Sequence, residues 1–91
     1  MWTVYILECE DGSFYTGVTS DLDRRLKEHR EGTSHYTGYN PSVRLVYHER
    51  HQEKINAQKR ETQIKRWSKA KKSALVGGDY TLLRKLSQSR D

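Results

Sequence analysis

Two side chains on one predicted helix, Arg25 and His29, are of types that stabilise negative charge and transfer protons. Leu22 and Leu26 define the buried stripe of this helix, because residues four apart lie on the same face. In projection His29 falls between the two leucines and Arg25 borders them, whereas Arg24 points nearly the opposite way. Arg25 is therefore expected either to act on a bound group or to extend over the core. His29 is expected either to act in catalysis or to pack as a hydrogen-bonded core residue.

A single acidic residue, Glu61, occupies the inward face of a second predicted helix. It is the one acid among the eight basic residues of 54–72. Ala57 and Ile64 project onto the same face, and a buried carboxylate is costly unless it is paired or binds a metal. Two interpretations stay open. Glu61 forms an ion pair with Arg25 or a neighbouring lysine, or it binds a divalent cation such as Mg²⁺.

Residues 54–72 carry the excess positive charge of the chain, whose net charge is +5. Clustered lysine and arginine side chains bind polyanions by releasing their counterions, although a charge run is also typical of a solvated helix face. The segment lacks the broad apolar face that helices need at a membrane surface. We therefore expect a nucleic acid partner and no membrane. The predicted contacts are Lys59, Arg60, Lys65, Arg66, Lys69, Lys71 and Lys72.

The length of 91 residues predicts one domain over 1–91, with a core at about 2–72 and C-terminal helices over 69–87. Apolar residues make up 33% of the chain, and no apolar run approaches the length of a membrane span. The start of the chain is unlike a signal peptide, and Cys9 is the single cysteine. These features predict a cytoplasmic protein without an internal disulfide.

The elements that must position these side chains follow from turn signals and periodicity. The sequence predicts strands over 2–9, 13–18 and 43–49. In the third strand Val43, Leu45 and Tyr47 alternate with Arg44, Val46 and His48 and are expected on one face. The sequence predicts helices over 21–30, 53–67, 69–76 and 80–87, the first opened by Ser20 and the last by Asp79. Gly32 ends the first helix and a polar loop follows over 33–42. This β-β-α-β-α order predicts a small α/β (α+β) fold with a three-stranded, mainly antiparallel sheet flanked by helices.

Several of these residues stand in an ordered set of motifs. The set comprises Thr3-Val4-Tyr5, Tyr15-Thr16-Gly17, Arg25, His29 and the helical Glu61. It resembles the GIY-YIG nuclease family over about residues 2–72. The segment 15–29 is its most specific part, and 63–72 is similar to the small single-domain bacterial members.

The resemblance implies a metal-dependent endonuclease acting on DNA or structured nucleic acid. It implies a catalytic site of Tyr5, Tyr15, Arg25 and Glu61, with His29 where many members have histidine. Glu61 would bind one divalent cation, Mg²⁺ or Mn²⁺. A further histidine of some family sites has only His35 and His48 as candidates. Gly17 is expected to let the backbone or the substrate phosphate approach closely.

A tyrosine in such a site has a chemical requirement of its own. A phenol with an ordinary pKa near 10 is ionised only about one part in 10³ at neutral pH. A general-base role for Tyr5 or Tyr15 therefore requires a nearby cation, which Arg25 or the metal would supply.

Two other functions compete with the nuclease. One is a nucleic-acid-binding module with little or no intrinsic nuclease activity. The other is an RNA-directed or protein-scaffolding role that uses the basic helix alone and leaves the tyrosine, arginine and glutamate set idle.

The first hairpin decides whether the two motif tyrosines can share a site. A two-residue turn at Asp11-Gly12 would pair Tyr5 with Val18 and place Tyr15 on the opposite face. A three-residue loop, Asp11–Ser13, brings Tyr5 and Tyr15 to one face. We therefore predict an irregular hairpin with Gly12 in the left-handed conformation and both tyrosines facing Arg25 and Glu61.

Overall fold

The structure is a computed structural model that describes residues 1–31 and 43–88. Its elements are β1 (Trp2–Glu8), β2 (Phe14–Thr19), α1 (Leu22–Glu31), β3 (Arg44–His51), α2 (Lys54–Lys65), α3 (Lys69–Val76) and α4 (Tyr80–Gln88). The predicted order and the α+β class are confirmed. Gly32 and the loop 33–42 lie outside the described residues. Within those residues no helix has the length and hydrophobicity to cross a membrane.

The sheet has the order β2-β1-β3, and both pairings are antiparallel. Helices cover both faces of β1, which explains its uninterrupted buried run over residues 4–7. On one face Val4 and Ile6 pack with Ala57 and Ile64 of α2. On the other face a second apolar cluster contains Tyr5, Leu7, Val43, Leu22 and Leu26. The sheet therefore separates two cores, one under α1 and one under α2 and α3.

The β1–β2 hairpin is irregular, as predicted, but its loop begins one residue earlier. Cys9 N–H donates to Ser13 O at 2.9 Å, so the closed loop comprises residues 10–12. Gly12 has φ 84°, the left-handed conformation that this loop requires. Tyr5 consequently pairs with Gly17 and Leu7 with Tyr15, which places both tyrosines on the α1 face. The predicted loop length of three residues and the placement of both tyrosines on one face of the sheet are confirmed. The predicted position of the loop, Asp11–Ser13, is wrong.

A β-bulge in β3 breaks the alternation that the sequence predicts there. Ile6 pairs with Tyr47, whereas the next residue, Leu7, pairs with Leu45. Val46 is therefore an extra residue, and Leu45 and Tyr47 face opposite sides of the sheet. The prediction of Val43, Leu45 and Tyr47 on one face is wrong for Tyr47, which packs against the core under α2.

One predicted helix cap is confirmed and one is corrected. Asp79 accepts a hydrogen bond from Leu82 N–H at 3.1 Å at the start of α4, and α3 has the predicted bounds. At the start of α1, however, the carboxylate of Asp21 accepts from Arg24 N–H at 3.1 Å. Asp21, rather than Ser20, therefore caps the helix that carries Arg25.

Candidate active site

The hydroxyl of Tyr5 lies at the centre of a polar cluster between β1 and α1. Tyr5 Oη is 3.0 Å from Nε2 of His29, and Nε of Arg25 donates to it at 3.4 Å. The ring of Tyr15 lies 6.3 Å from the ring of Tyr5 and 4.9 Å from the imidazole of His29. These four residues form the α1-face cluster. The structure thus brings together four of the five residues that the sequence predicts to be catalytic.

The missing side chain of Gly17 makes room for the tyrosine. Gly17 lies directly opposite Tyr5 on β2, and a Cβ added to it would be 2.5 Å from Tyr5 Oη. No side chain fits there without moving the phenol. From the sequence we predicted that the backbone or the substrate phosphate would approach closely at this glycine. In the structure the Tyr5 ring fills it, so Gly17 positions a site residue.

The groups of the α1-face cluster influence one another's ionisation. Burial raises the pKa of Tyr5 to about 12, because the hydrogen bond and charge of Arg25 offset it only in part. Burial and the charge of Arg25 lower the pKa of His29. The hydrogen bond to Tyr5 is the largest of the interactions that raise the pKa of Arg25. At neutral pH the cluster therefore holds a neutral phenol, a neutral imidazole and a charged guanidinium. Arg25 alone does not activate Tyr5 as a base.

The two neighbouring arginines of α1 differ as their projection predicts. Arg24 is exposed, and Arg25 is half-buried against the sheet. Besides Tyr5, Arg25 binds the carboxylate of Glu28 at 3.1 Å, one helical turn later. The side chain of Arg25 thus points towards the tyrosines. Its helix is held against the sheet by the leucines of the apolar stripe.

Glu61 lies on the inward stripe of α2, between the buried Ala57 and Ile64, as the sequence predicts. Its side chain is 19% exposed, and its carboxylate pairs with Lys65 at 3.4 Å. The charge of Glu61 is the smallest of the influences on the pKa of Tyr5, which it raises. Because α2 packs on the Val4 and Ile6 face of the sheet, the prediction that both tyrosines face Glu61 is not confirmed. The ion pair expected with Arg25 or a neighbouring lysine is therefore made with the lysine.

The basic residues of 54–72 divide into two groups. Lys59, Arg66 and Lys69 are exposed, and Lys65 is exposed although it pairs with Glu61. The other group packs internally. Arg60 lies 5.2 Å from the ring centre of Trp67, the buried Lys71 lies 4.7 Å from it, and Lys72 is half-buried. Arg60 and Lys71 therefore make contacts within the fold, and their role in binding nucleic acid stays a prediction.

Sequence reasoning missed a second polar cluster on the opposite side of the sheet. Its centre is Glu49, which accepts from Tyr47 at 2.5 Å and from Nε of Arg60 at 3.1 Å. His51 Nε2 lies 2.6 Å from the same carboxylate. We call these four residues the α2-face cluster. The alternation of Tyr47, Glu49 and His51 along β3 could have indicated that these side chains share one face. The bulge at Val46 is not visible in the sequence, so the face on which they lie could not be predicted.

The remaining candidates for a metal or a catalytic histidine are few. His48 is exposed and lies opposite Tyr5 on β3, and His35 lies outside the described residues. Among residues 1–31 and 43–88, no three histidine, cysteine, aspartate or glutamate side chains group as metal ligands. Glu61 therefore stays the candidate ligand.

Relatives of this chain share its size. UPF0213 protein BH0048 of Halalkalibacterium halodurans is 46% identical over 88 residues, which cover 92% of this chain and 94% of that protein. A UPF0213 protein of Staphylococcus aureus is 42% identical over 74 residues, with coverages of 80% and 90%.

Two solved structures share the fold. The NMR structure of BH0048 is 44% identical and superposes with a TM-score of 0.57, covering 85% of this chain and 84% of that one. The NMR structure of EF2693 from E. faecalis is 30% identical, with a TM-score of 0.60 and coverages of 87% and 85%. A family model described as the GIY-YIG catalytic domain matches residues 1–74, a span that holds both tyrosines, Arg25, His29 and Glu61. The chain therefore belongs to the GIY-YIG family.

Proposed function

We propose that the α1-face cluster is the active site of a metal-dependent endonuclease, which hydrolyses phosphodiester bonds in DNA or structured nucleic acid. The observation that carries the proposal is the position of the Tyr5 hydroxyl. It lies 3.0 Å from a neutral imidazole and 3.4 Å from a guanidinium, with a second tyrosine beside it. Membership of the GIY-YIG family supports the same reaction class.

The ionisation of the cluster suggests how a water molecule would lose its proton. Tyr5, with a pKa of about 12, is a phenol at neutral pH. The lowered pKa of His29 keeps its imidazole neutral, and with its own proton on Nδ1 the ring presents Nε2 as an acceptor to the Tyr5 O–H, 3.0 Å away. Tyr5 and His29 are fully buried in the structure, so this step requires that substrate binding admit the attacking water to the Tyr5 hydroxyl. The phenolate oxygen then takes a proton from the water as the phenol proton moves to His29. His29 thus acts as the base through Tyr5.

Arg25 has a separate role in the proposal. Its guanidinium is charged at every physiological pH, and Tyr5 and Glu28 hold it in place. A phosphate whose phosphorus is attacked beside Tyr5 gains negative charge on its nonbridging oxygens. A fixed guanidinium stabilises that charge with little reorganisation during the reaction.

Glu61 fits the binding of a single divalent cation. Its carboxylate is partly accessible, and its charge raises the pKa of Tyr5, although less than the other influences do. Mg²⁺ is commonly held by one or two carboxylates together with water and substrate phosphate, so one protein ligand suffices. When bound, Mg²⁺ or Mn²⁺ would polarise the phosphate and the leaving oxygen.

The exposed basic side chains of α2 and α3 support a nucleic acid substrate. Lys59, Arg66 and Lys69 present charge to solvent, and clustered charge of this kind binds a phosphate backbone without reading its sequence.

The second candidate is a nucleic-acid-binding module without turnover. The ion pair between Lys65 and Glu61 favours it, because a neutralised carboxylate is a poorer metal ligand. In this case the exposed lysines would bind nucleic acid while the α1-face cluster stays idle.

One assay separates the two candidates. Labelled single-stranded, duplex, flap and branched DNA are incubated with Mg²⁺ or Mn²⁺ and with wild-type protein, Glu61→Gln or Glu53→Gln. Glu53 is an exposed glutamate that makes no capping hydrogen bond at the start of α2, so it is a matched control.

Cleavage that is lost with EDTA and in Glu61→Gln, but kept in Glu53→Gln, supports the endonuclease. Binding without cleavage supports the module. Neither binding nor cleavage would overturn both proposals.

A further inference from the structure

A cleft of about 430 Å³ opens beside the α1-face cluster, and the proposed reaction does not use it. One wall comes from the sheet and contains Thr3, His48 and Arg50. The other wall comes from the start of α1 and contains Ser20, Asp21 and Asp23. A volume of a few hundred cubic ångströms is the size of a small-ligand site.

The cleft adjoins the proposed active site in the sheet. His48 lies directly opposite Tyr5, and Arg50 lies opposite Thr3 in the same register. Thr3 precedes Tyr5 by two residues on β1, which corresponds to about 7 Å along a strand. Tyr5 itself is fully buried, and the half-buried Arg25 that donates to it is the accessible group of the cluster on this side. A nucleic acid whose phosphate meets Arg25 therefore has its adjoining nucleotide near the mouth of the cleft.

The charges of the cleft match a base better than a phosphate. Asp21 and Asp23 place negative charge opposite the positive charge of Arg50, so a second phosphate would meet repulsion as well as attraction. A nucleobase is neutral and carries both hydrogen-bond donors and acceptors on its edge. Carboxylates accept from the donors, a guanidinium donates to the acceptors, and the exposed ring of His48 offers a surface for stacking.

We infer that this cleft binds one unpaired nucleobase next to the phosphodiester that meets Arg25. The inference rests on the proposed function, which supplies both the nucleic acid ligand and the position of its phosphate. A base paired within a duplex cannot enter the cleft, because it is held by its partner and its neighbours. The substrate class is therefore nucleic acid with an unpaired nucleotide beside the cleavage position, as in flaps, frayed ends and single-stranded junctions.

The test measures DNA affinity under conditions that prevent cleavage. Fluorescence anisotropy in EDTA gives the dissociation constants of a labelled duplex with a single-stranded flap, and of versions with one abasic residue at successive flap positions. We expect an abasic residue at one position next to the duplex junction to weaken binding about tenfold or more, as expected for the loss of one stacked base.

Two variants connect that effect to the cleft. Arg50→Ala should abolish the difference between the intact and the abasic flap. Arg44→Ala should preserve it, because Arg44 is an exposed arginine of the same strand that pairs with Glu8, away from the cleft. Arg50→Lys keeps the charge but loses the planar donor pair, so it should keep overall affinity and lose part of the discrimination.

Equal affinity for intact and abasic flaps would overturn the inference. Equal effects of Arg50→Ala and Arg44→Ala on the discrimination would also overturn it, as would the absence of binding to any of these DNAs. If the abasic effect is found but Mg²⁺ and Mn²⁺ produce no cleavage, the endonuclease proposal fails while the cleft assignment stands.

Discussion

The α1-face cluster and the α2-face cluster each contain a histidine, an arginine and a tyrosine whose pKa burial raises to about 12. They differ in the atom at the centre. On the α2 face the tyrosine, the histidine and the arginine all bind the carboxylate of Glu49. On the α1 face the imidazole and the guanidinium both meet the hydroxyl of Tyr5, and among the described residues no carboxylate is hydrogen-bonded to that hydroxyl.

This difference has electrostatic consequences. Burial alone would raise the pKa of Glu49, but hydrogen bonds from Tyr47 and His51 and the charge of Arg60 outweigh it and lower the pKa. The α2-face cluster is thus a neutralised network that joins β3 to α2. In the α1-face cluster Arg25 pairs with Glu28 on its own helix and donates to the neutral hydroxyl of Tyr5, so no carboxylate lies at the centre of that cluster. Residue types alone do not separate the structural network from the proposed active site. The two clusters differ in the acceptor at the centre, which is a carboxylate in one and a hydroxyl in the other.

Arg25→Ala should produce the largest effect on activity. The loss of one preorganised donor to a developing oxyanion lowers kcat by about 100- to 1000-fold. The measurement is the rate of flap cleavage with Mg²⁺ or Mn²⁺, and Arg24→Ala is the control because Arg24 is exposed on the same helix. Equal losses in the two variants would show that both arginines only bind the phosphate backbone.

Gly17→Ala should be the next most damaging change to activity. The new Cβ would overlap Tyr5 Oη, and a displacement of about 1 Å in a catalytic group can cost about 100-fold in rate. Thr16→Val is the control, because Thr16 faces the other core and its buried hydroxyl has no hydrogen-bond partner among the described residues. Wild-type cleavage by Gly17→Ala would contradict the role of Tyr5.

Glu49→Gln should affect stability rather than the reaction. It leaves Arg60 and Tyr47 without their charged acceptor, so the free energy of unfolding should fall by about 1–3 kcal/mol. Urea denaturation measures the change, with the exposed Glu53→Gln as the control. A variant with wild-type stability but without cleavage would reverse the roles assigned to the two clusters.

The two clusters should also respond to acid in different pH ranges. The pKa of His29 is lowered in the folded state, so the unfolded chain binds a proton below pH 6.5 that the folded chain resists. As the pH decreases below 6.5, the free energy of unfolding should therefore decrease by at most about 1.4 kcal/mol for each pH unit. The stabilisation from Glu49, whose pKa is also lowered, is present above its ordinary value of 4.5 and is lost at lower pH.

Urea denaturation at successive pH values separates these ranges. His29→Gln should flatten the decline between pH 7 and pH 5.5. His48→Gln should leave it unchanged, because His48 is exposed. An unchanged decline in His29→Gln would argue against a neutral, buried His29.

The smallest expected effect concerns the salt dependence of DNA binding. Each lost phosphate contact should flatten the log–log salt slope on duplex DNA by about 0.9. Lys69→Gln should do so, because Lys69 is exposed, whereas Lys71→Gln should not, because Lys71 is buried against Trp67. A wild-type slope near zero would show that the exposed lysines bind no phosphate.

Much of the fold could be predicted from local signals. Apolar periodicity and capping residues gave α3 its observed bounds, and they placed Arg25 beside the apolar stripe and Arg24 in solvent. The left-handed Gly12 was predictable because a three-residue hairpin loop needs a positive φ. The position of the loop was predicted one residue late, because the left-handed Gly12 takes the last place of the three-residue loop and not the middle place.

The sequence by itself determined which residues lie on the inward face of each helix and which strands carry the tyrosines, because helical and strand periods are local properties of the chain. Only the tertiary structure decided what those residues meet. The bulge at Val46 sent Tyr47 and Glu49 to the opposite face from Tyr5. Burial raised the pKa of Tyr5 despite the nearby Arg25. Both outcomes depend on contacts between residues far apart in sequence, which set register and solvent exclusion and which no local pattern encodes.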